Sequence, residues 1–346
     1  MEELSRRLRV CICGGGGLGI VCAAVFMDAG VEVSLLTGHP DDWQRQVAVT
    51  DREGKSFTGV FSGISSDPAE VVGTADIVLL CLPGYLIEEC LVRIRPFLRK
   101  GSIVGCVVGS TGFFFAAHKV LDSATGLFAF QRVPYIARQS QYGRKGELLG
   151  YKKELNVAVE NIPDKEGTVA LLRRLFRTPV RLLDSYYEVS LSNSNPILHT
   201  GRLYSMWKDY QGETFERNPK FYADWTDEAS DILLAMDAEF MQLLESLGID
   251  KGVIPSLLDY YEVRDAKTLT DKIKSIPAFR SIASPMKETE KGWVPDFGSR
   301  YFTEDFPFGL KFIHDLAREK GLHTPTIDTV YSWGMRMVSG SYGQGI

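Results

Sequence analysis

Apolar positions in the first half of the chain fall in short dense runs separated by longer, more mixed stretches. LRVCIC (8–13), VEVSLLT (31–37), ADIVLLCLP (75–83), SIVGCVVG (102–109), GLFAFQRVP (126–134), ELNVAVE (154–160) and PVRLLDS (179–185) read as strands. Residues 17–29, 85–98 and 164–176 read as helices between them. Strands alternating with helices predict a mainly parallel sheet covered on both faces, in which ligands bind at the carboxyl ends of the strands. Two loops at that end stand out, LPGY (82–85) and GSTGF (109–113). From residue 186 the pattern changes to long helical stretches, with Pro196 marking a helix start near Asn195 and amphipathic spacing over 226–248 and 309–321. The expected architecture is therefore an α/β domain over 1–184 followed by an all-α domain over 185–346. A cleft between the two is the expected substrate site.

Residues 10–27 form eighteen consecutive uncharged positions behind Arg6, Arg7 and Arg9, nearly long enough to span a bilayer. Five glycines, Gly14 to Gly17 and Gly19, stand in the middle of this run. At about 0.8–1.0 kcal/mol each relative to alanine they make a poor continuous helix. They also split the apolar core a signal peptide would need, and no small-residue cleavage site follows. A strand, a tight turn and a helix ending at Gly30 account for them all. Gly14, Gly16 and Gly19 form G-x-G-x-x-G between the first strand and the first helix, with a second strand following. Gly14 permits the turn, Gly16 lets a pyrophosphate approach the backbone, and Gly19 lets helix and strand pack closely, with Gly17 and Leu18 opening the helix toward the phosphates. The first domain is thus expected to be a Rossmann-type dinucleotide site, with Leu82 and Pro83 on its neighbouring loop.

An NAD-specific site usually ends its second strand with an acid that binds the ribose hydroxyls. Here Thr37 takes that place, followed by His39 and, further on, Arg45, while Asp41 and Asp42 lie nearby. NADP or NAD is expected, with NADP mildly preferred. A net charge of −5 and pI near 5.7 argue against a general nucleic-acid binder. The six cysteines lie in the first third of the chain, mostly in apolar runs and without a C-x-x-C pair, so buried reduced thiols, a cytoplasmic setting and no metal are expected.

Among five histidines, His118, His314 and His323 read as surface, capping or packing residues, and His39, with Arg45, could reach a 2′-phosphate beside Thr37. His199 differs, because LSNSNPILHTGR gathers Asn193, Ser194, Asn195, His199 and Arg202 near the expected domain junction. A second cluster, GSRYFTEDFPFGL (298–310), sets Arg300, Glu304 and Asp305 among aromatic residues. It suits either a helix cap with a surface arginine or a partly desolvated anion site.

The glycine turn, ADIVLLCLP, VPYIAR (133–138), NSNPILH (193–199) and RYFTEDFPFGL (300–310), taken together and in this order, resemble the opine dehydrogenases, the octopine and nopaline dehydrogenase family. The resemblance implies reversible NAD(P)H-dependent reductive condensation of an α-keto acid with the amino group of an amino acid. It also implies His199 as catalytic histidine, Asp305 as its paired aspartate and Arg300 as the arginine holding a substrate carboxylate. Ser110, Thr111 and Asn195 are expected to contact the substrates. GSTG stands where relatives often carry a glutamine-containing loop, and HTGR replaces a commoner His-Pro, so the substrate pair stays open. Partners are expected to be the small-molecule substrates alone, without nucleic acid or membrane, and a homodimer is compatible with the sequence. The alternatives are a 2-keto acid reductase resembling ketopantoate reductase, for which NSNP speaks, and a dinucleotide-binding protein without catalysis.

Overall fold

The computed structural model describes residues 7–340, which divide into two compact units between Ser192 and Asn193. Strands of the first unit are β1 (Arg9–Cys13), β2 (Glu32–Leu36), β3 (Gln46–Asp51), β4 (Ser56–Val60), β5 (Gly63–Ser65), β6 (Ile77–Leu80), β7 (Ile103–Cys106), β8 (Gly126–Phe130), β9 (Tyr135–Gln141), β10 (Lys145–Tyr151), β11 (Leu155–Glu160) and β12 (Val180–Leu182). Its helices are α1 (Gly17–Asp28), α2 (Pro68–Val71), α3 (Gly84–Ile94), α4 (Phe113–Val120), α5 (Lys165–Phe176) and α6 (Tyr186–Ser190).

Eight strands form the central sheet in the order β12-β11-β8-β7-β6-β1-β2-β5. It is parallel apart from the β11–β8 pair. The period of two along a strand sends alternate side chains to opposite faces. Val10 and Ile12 enter one layer with Ile20 and Phe26, whereas Cys11 and Cys13 enter the other with Ile87 and Phe114. Both layers are apolar, which is why these strands read as unbroken hydrophobic runs. The cysteines are free thiols, and burial pushes Cys106 up to about 12.

A second sheet, ordered β4-β3-β10-β9, departs from the expected architecture. It lays its apolar face on α1, so that Gly19 to Met27 are all buried and Met27 fills the space beside Gly59 of β4. A helix apolar all round must be covered all round, and two sheets do so here. Apart from the glycine turn, the uncharged run at 10–27 is therefore the inside of this unit, and no described helix is long and apolar enough to cross a membrane. The second sheet escaped sequence reading because its strands bury only one face and are broken by charged turns such as Asp51-Arg52-Glu53.

The division after Ser192 lies beyond the expected 184/185 boundary because α6 belongs to the first unit. Ser185 and Glu188 close a capping box, Val189 enters the layer containing Phe114, and the Gln131 side chain donates to the Glu188 carbonyl at 3.2 Å.

The second unit contains α7 (Asn195–Trp207), α8 (Asp227–Ser246), α9 (Leu257–Tyr261), α10 (Ala266–Ser275), α11 (Arg300–Thr303), α12 (Lys311–Glu319) and α13 (Pro325–Val338). Thr226 caps α8, and the Glu239 carboxylate on α8 accepts from Thr326 and Ile327 at 2.9 and 2.8 Å, satisfying the first turn of α13. The unit is helical but not all-α, since β13 (Met286–Thr289) and β14 (Gly292–Pro295) form a hairpin. Four residues per strand are too few to show alternation.

Candidate active site

The turn after β1 is shaped by what glycine omits. Gly14 has φ +113°, its N–H donates to Leu36 O at 3.0 Å, and a Cβ there would lie 2.7 Å from the Cys81 carbonyl and 2.8 Å from Leu82 Cδ2. A Cβ on Gly19 would collide with the Gly14 carbonyl, so the helix could not approach the strand. Gly16 differs, because a Cβ there would meet nothing within 4 Å. It occupies the N-cap of α1 with no capping side chain, and Ile20 is the first residue to return a hydrogen bond to it. The amides before Ile20 stay available for an anion. A Cβ on Gly17 would lie 3.2 Å from the Ala137 carbonyl oxygen, and Leu18 packs against the core. This open, uncapped cradle fits a dinucleotide pyrophosphate.

Since β1, β2, β6 and β7 are parallel neighbours, Gly14, Thr37, Leu82 and the turn Gly109–Thr111 all follow the carboxyl end of one sheet. Pro83 caps α3. Thr37 is buried, its N–H donates to Ser65 O at 3.0 Å and its hydroxyl accepts from the His39 amide at 3.4 Å. Arg45 gives Nη2 to the Ser62 carbonyl at 2.8 Å. Ser110 is buried, and Thr111 donates its hydroxyl to Val108 O at 3.2 Å.

In the second unit, Pro196 opens α7 and locks it against a π-helical turn at Phe306–Leu310. A Cβ on Gly309 would lie 2.7 Å from Pro196 Cγ, and the Leu310 amide donates to Asp305 O at 2.7 Å. This brings His199, one turn beyond Pro196, to Asp305. Nδ1 lies 2.8 Å from Asp305 Oδ2, while Nε2 lies 2.9 Å from the Tyr222 hydroxyl. The Tyr301 ring is 4.8 Å from the imidazole, whose side chain is 12% exposed. Burial first, then Tyr301, Tyr261 and Asp305, raise the Tyr222 hydroxyl well above the usual phenol range. Tyr222 therefore keeps its proton and donates to Nε2, which leaves the Nδ1 proton for Asp305.

Tyr222 is held by stacking on Phe279 (4.2 Å) and Trp225 (6.0 Å). Arg202 fixes its loop from α7, one turn beyond His199. Only 3% exposed, Arg202 donates to the carbonyls of Phe221 (3.0 Å) and Asp224 (2.7 Å) and lies over the Trp225 ring. Burial pulls its guanidinium down to about 10. The Asn195 amide is held by Asn193 Oδ1 at 3.2 Å. Arg300 is brought to this segment but not to His199 by any described contact. Its side chain is 81% exposed, and its fork grips both oxygens of Glu304 at 2.8 Å.

The family model described as "NAD/NADP octopine/nopaline dehydrogenase, alpha-helical domain" matches residues 182–338. The opine dehydrogenase of Haliotis discus hannai is 26% identical, with 95% of this chain and 90% of that protein covered. Over its helical unit the chain thus matches the octopine/nopaline dehydrogenase family, and over nearly its whole length it is similar to opine dehydrogenases. The octopine dehydrogenase of Mizuhopecten yessoensis is likewise 26% identical, with 97% and 91% covered. A solved octopine dehydrogenase with NADH and L-arginine superposes with TM-score 0.83 at 24% identity, covering 96% of this chain and 90% of that one, so the two share a fold.

Two other histidines are engaged elsewhere: His118 meets Glu160 at 2.7 Å, and His314 stacks on Tyr331 at 4.2 Å beside Asp315. Among the described residues, no three His, Cys, Asp or Glu side chains come together as a metal-ligand set. Sequence reading missed Tyr222 and the positioning part played by Arg202. The aromatic density of KFYADW (220–225) was the only trace of Tyr222.

Proposed function

We propose that this chain is an NAD(P)H-dependent opine dehydrogenase that joins an α-keto acid to the amino group of an amino acid and, in reverse, oxidises the opine. The observation that carries the reading is His199 suspended between Asp305 and Tyr222 in a chain that matches this family. Keto acid and amine condense with loss of water to an imine. A bound reduced nicotinamide would supply the hydride that turns the imine into a secondary amine, held at the glycine cradle of Gly14 to Gly19.

The proton traffic falls to His199. Nδ1 is committed to Asp305, which fixes the tautomer, so Nε2 is the working atom. The Tyr222 hydroxyl occupies its lone pair, so the proton passes through Tyr222: the hydroxyl gives its proton to Nε2 as it takes one from the substrate ammonium, freeing the amine to attack, and the same route returns one to the departing hydroxyl. Tyr222 serves both states without moving, because its hydroxyl donates to a neutral Nε2 and accepts from a protonated one. Arg300 is assigned to the keto-acid carboxylate, which must displace Glu304 from its fork. Arg300→Lys then raises KM for the keto acid and leaves that for the dinucleotide unchanged, since an ammonium cannot make a two-point grip. Equal effects on both would remove Arg300 from the site. Ser110, Thr111 and Asn195 are assigned to substrate contact, with the Thr111 hydroxyl left to accept because its proton is given to Val108.

At Thr37 no carboxylate repels a 2′-phosphate, which supports acceptance of NADPH and mild preference for it. The buried free thiols support a reducing, cytoplasmic setting. The test is oxidation of NADH and NADPH over a matrix of keto acids and amino acids, with mass analysis of the product. A secondary amine formed only when both substrates are present is expected. Oxidation indifferent to the amine would make the protein a 2-keto acid reductase, and no turnover with any pair would make it a binding protein. An enzyme that ignores NADPH would overturn the Thr37 reading.

A further inference from the structure

Trp43 stands directly against the glycine turn with a hydrogen bond unmade. It is 7% exposed, and its indole Nε1 is buried without a partner. A Cβ on Gly15 would lie 2.7 Å from Trp43 Cζ2 and 3.1 Å from Nε1, so the edge carrying the N–H abuts the second glycine of the turn. The placement is built. The Trp43 amide donates to Pro40 O at 3.1 Å, and Phe61 and Tyr142 meet the ring edge-on at 5.8 and 5.9 Å. Gly143, at φ +64°, sits on the Trp43 backbone where a Cβ would be 2.9 Å from its Cα, and Gly143 O accepts from Gln44 at 3.0 Å. The β9–β10 turn of the second sheet thus clamps the indole in place.

A second orphan lies on the same sheet. Tyr135 and Ala137 of β9 pack into the layer containing α1, and Ala137 O abuts Gly17. By the strand period Gln139 shares that face. Its cross-strand partner Gly146 comes within 3.0 Å, measured from a built Cβ, of Ile20 Cγ2 in the first turn of α1. Gln139 Nε2 is buried and unpartnered as well. Buried donors normally find acceptors, so two orphans beside one uncapped helix start call for an oxygen that the chain does not supply.

We propose that the Trp43 indole N–H, seconded by the Gln139 amide, is a built donor for a phosphate oxygen of the dinucleotide. The second sheet thereby takes part in cofactor binding. This rests on the glycine turn being a dinucleotide cradle.

The test is binding without turnover. Dissociation constants for ADP-ribose, NADH and NADPH are measured by calorimetry for wild type, Trp43→Phe and Gln139→Met, with thermal melting as a check on folding. The Trp43 indole proton, identified by its loss in Trp43→Phe, is followed by NMR during ADP-ribose addition. Expected are a tenfold or greater loss of affinity in Trp43→Phe at unchanged Tm, a smaller loss in Gln139→Met, and a shifted indole resonance on ligand addition. Equal losses for NADH and NADPH place the contact on the pyrophosphate, and a loss confined to NADPH places it on the 2′-phosphate. Wild-type affinity in both variants with an unmoved indole resonance overturns the proposal and leaves the cradle standing. A wild-type protein that binds no dinucleotide overturns both. Should Trp43→Phe melt early, Gln139→Met and the wild-type indole resonance still decide.

Discussion

The turn after β1 offers a ligand its backbone, and the centre around His199 is built from side chains. At the turn, function depends on atoms that are missing. Gly14 and Gly19 let chain segments touch, while Gly16 leaves space. Around His199 it depends on atoms present and fully engaged, with Asp305 and Tyr222 on the imidazole and Arg202 behind Tyr222. A backbone site can be written in one hexapeptide, because neighbours in sequence do all the work. A side-chain site must be gathered, here from residues 199, 202, 222 and 305, and its stability depends on burying polar groups that each need a partner.

The comparison breaks most sharply at the glycines. Gly19→Ala should abolish dinucleotide binding and cost about 3 kcal/mol of stability, since its methyl group has no room. Gly16→Ala should leave Tm unchanged and still weaken NADH binding about tenfold or more, because it intrudes on the ligand alone. If both variants behaved alike in calorimetry and melting, the turn would be a packing device rather than a cradle.

On the other side, Tyr222→Phe keeps the stacking on Phe279 and Trp225 and removes the hydroxyl from Nε2. A fall in kcat of about tenfold, the size expected for one hydrogen bond to a charged group, should come without change in NADH affinity. Unchanged kcat would reduce Tyr222 to packing.

The smallest effect concerns the cost of gathering buried polar groups. Asp237 on α8 is raised to about 6 by burial, opposed by the Leu257 amide donating at 2.9 Å and reinforced by Asp259. Its folded pKa lies above its unfolded value of 3.8, so the native state holds more protons between these values and stability declines as pH rises through that window. Asp237→Asn keeps an acceptor for Leu257 and should add about 1–2 kcal/mol at pH 7 while flattening denaturation midpoints between pH 4 and 6. A less stable variant at pH 7 would contradict this.

Legibility in the sequence follows the same division. Strand runs and the glycine turn could be read directly, since strands buried on both faces give unbroken apolar runs. The second sheet could not, because strands buried on one face and separated by charged turns look like loops. His199 and Asp305 were reached by resemblance, 106 residues apart in the chain. Arg300 was reached the same way, and RYFTE also spells an i, i+4 pair, which the structure shows as the guanidinium on Glu304. Tyr222 left only the aromatic density of its segment, since its part depends on α7, Phe279 and Arg202 converging on one loop.

The account's central claim is that cofactor binding and proton transfer are separable tasks of these two regions. It is tested most directly by measuring NADH affinity and kcat together in His199→Ala, with Asp305→Asn beside it. The account predicts wild-type NADH affinity with kcat lowered about 10²–10⁴-fold in His199→Ala and by a smaller factor in Asp305→Asn. Turnover at the wild-type rate in His199→Ala, or NADH affinity that falls in step with kcat, would contradict it.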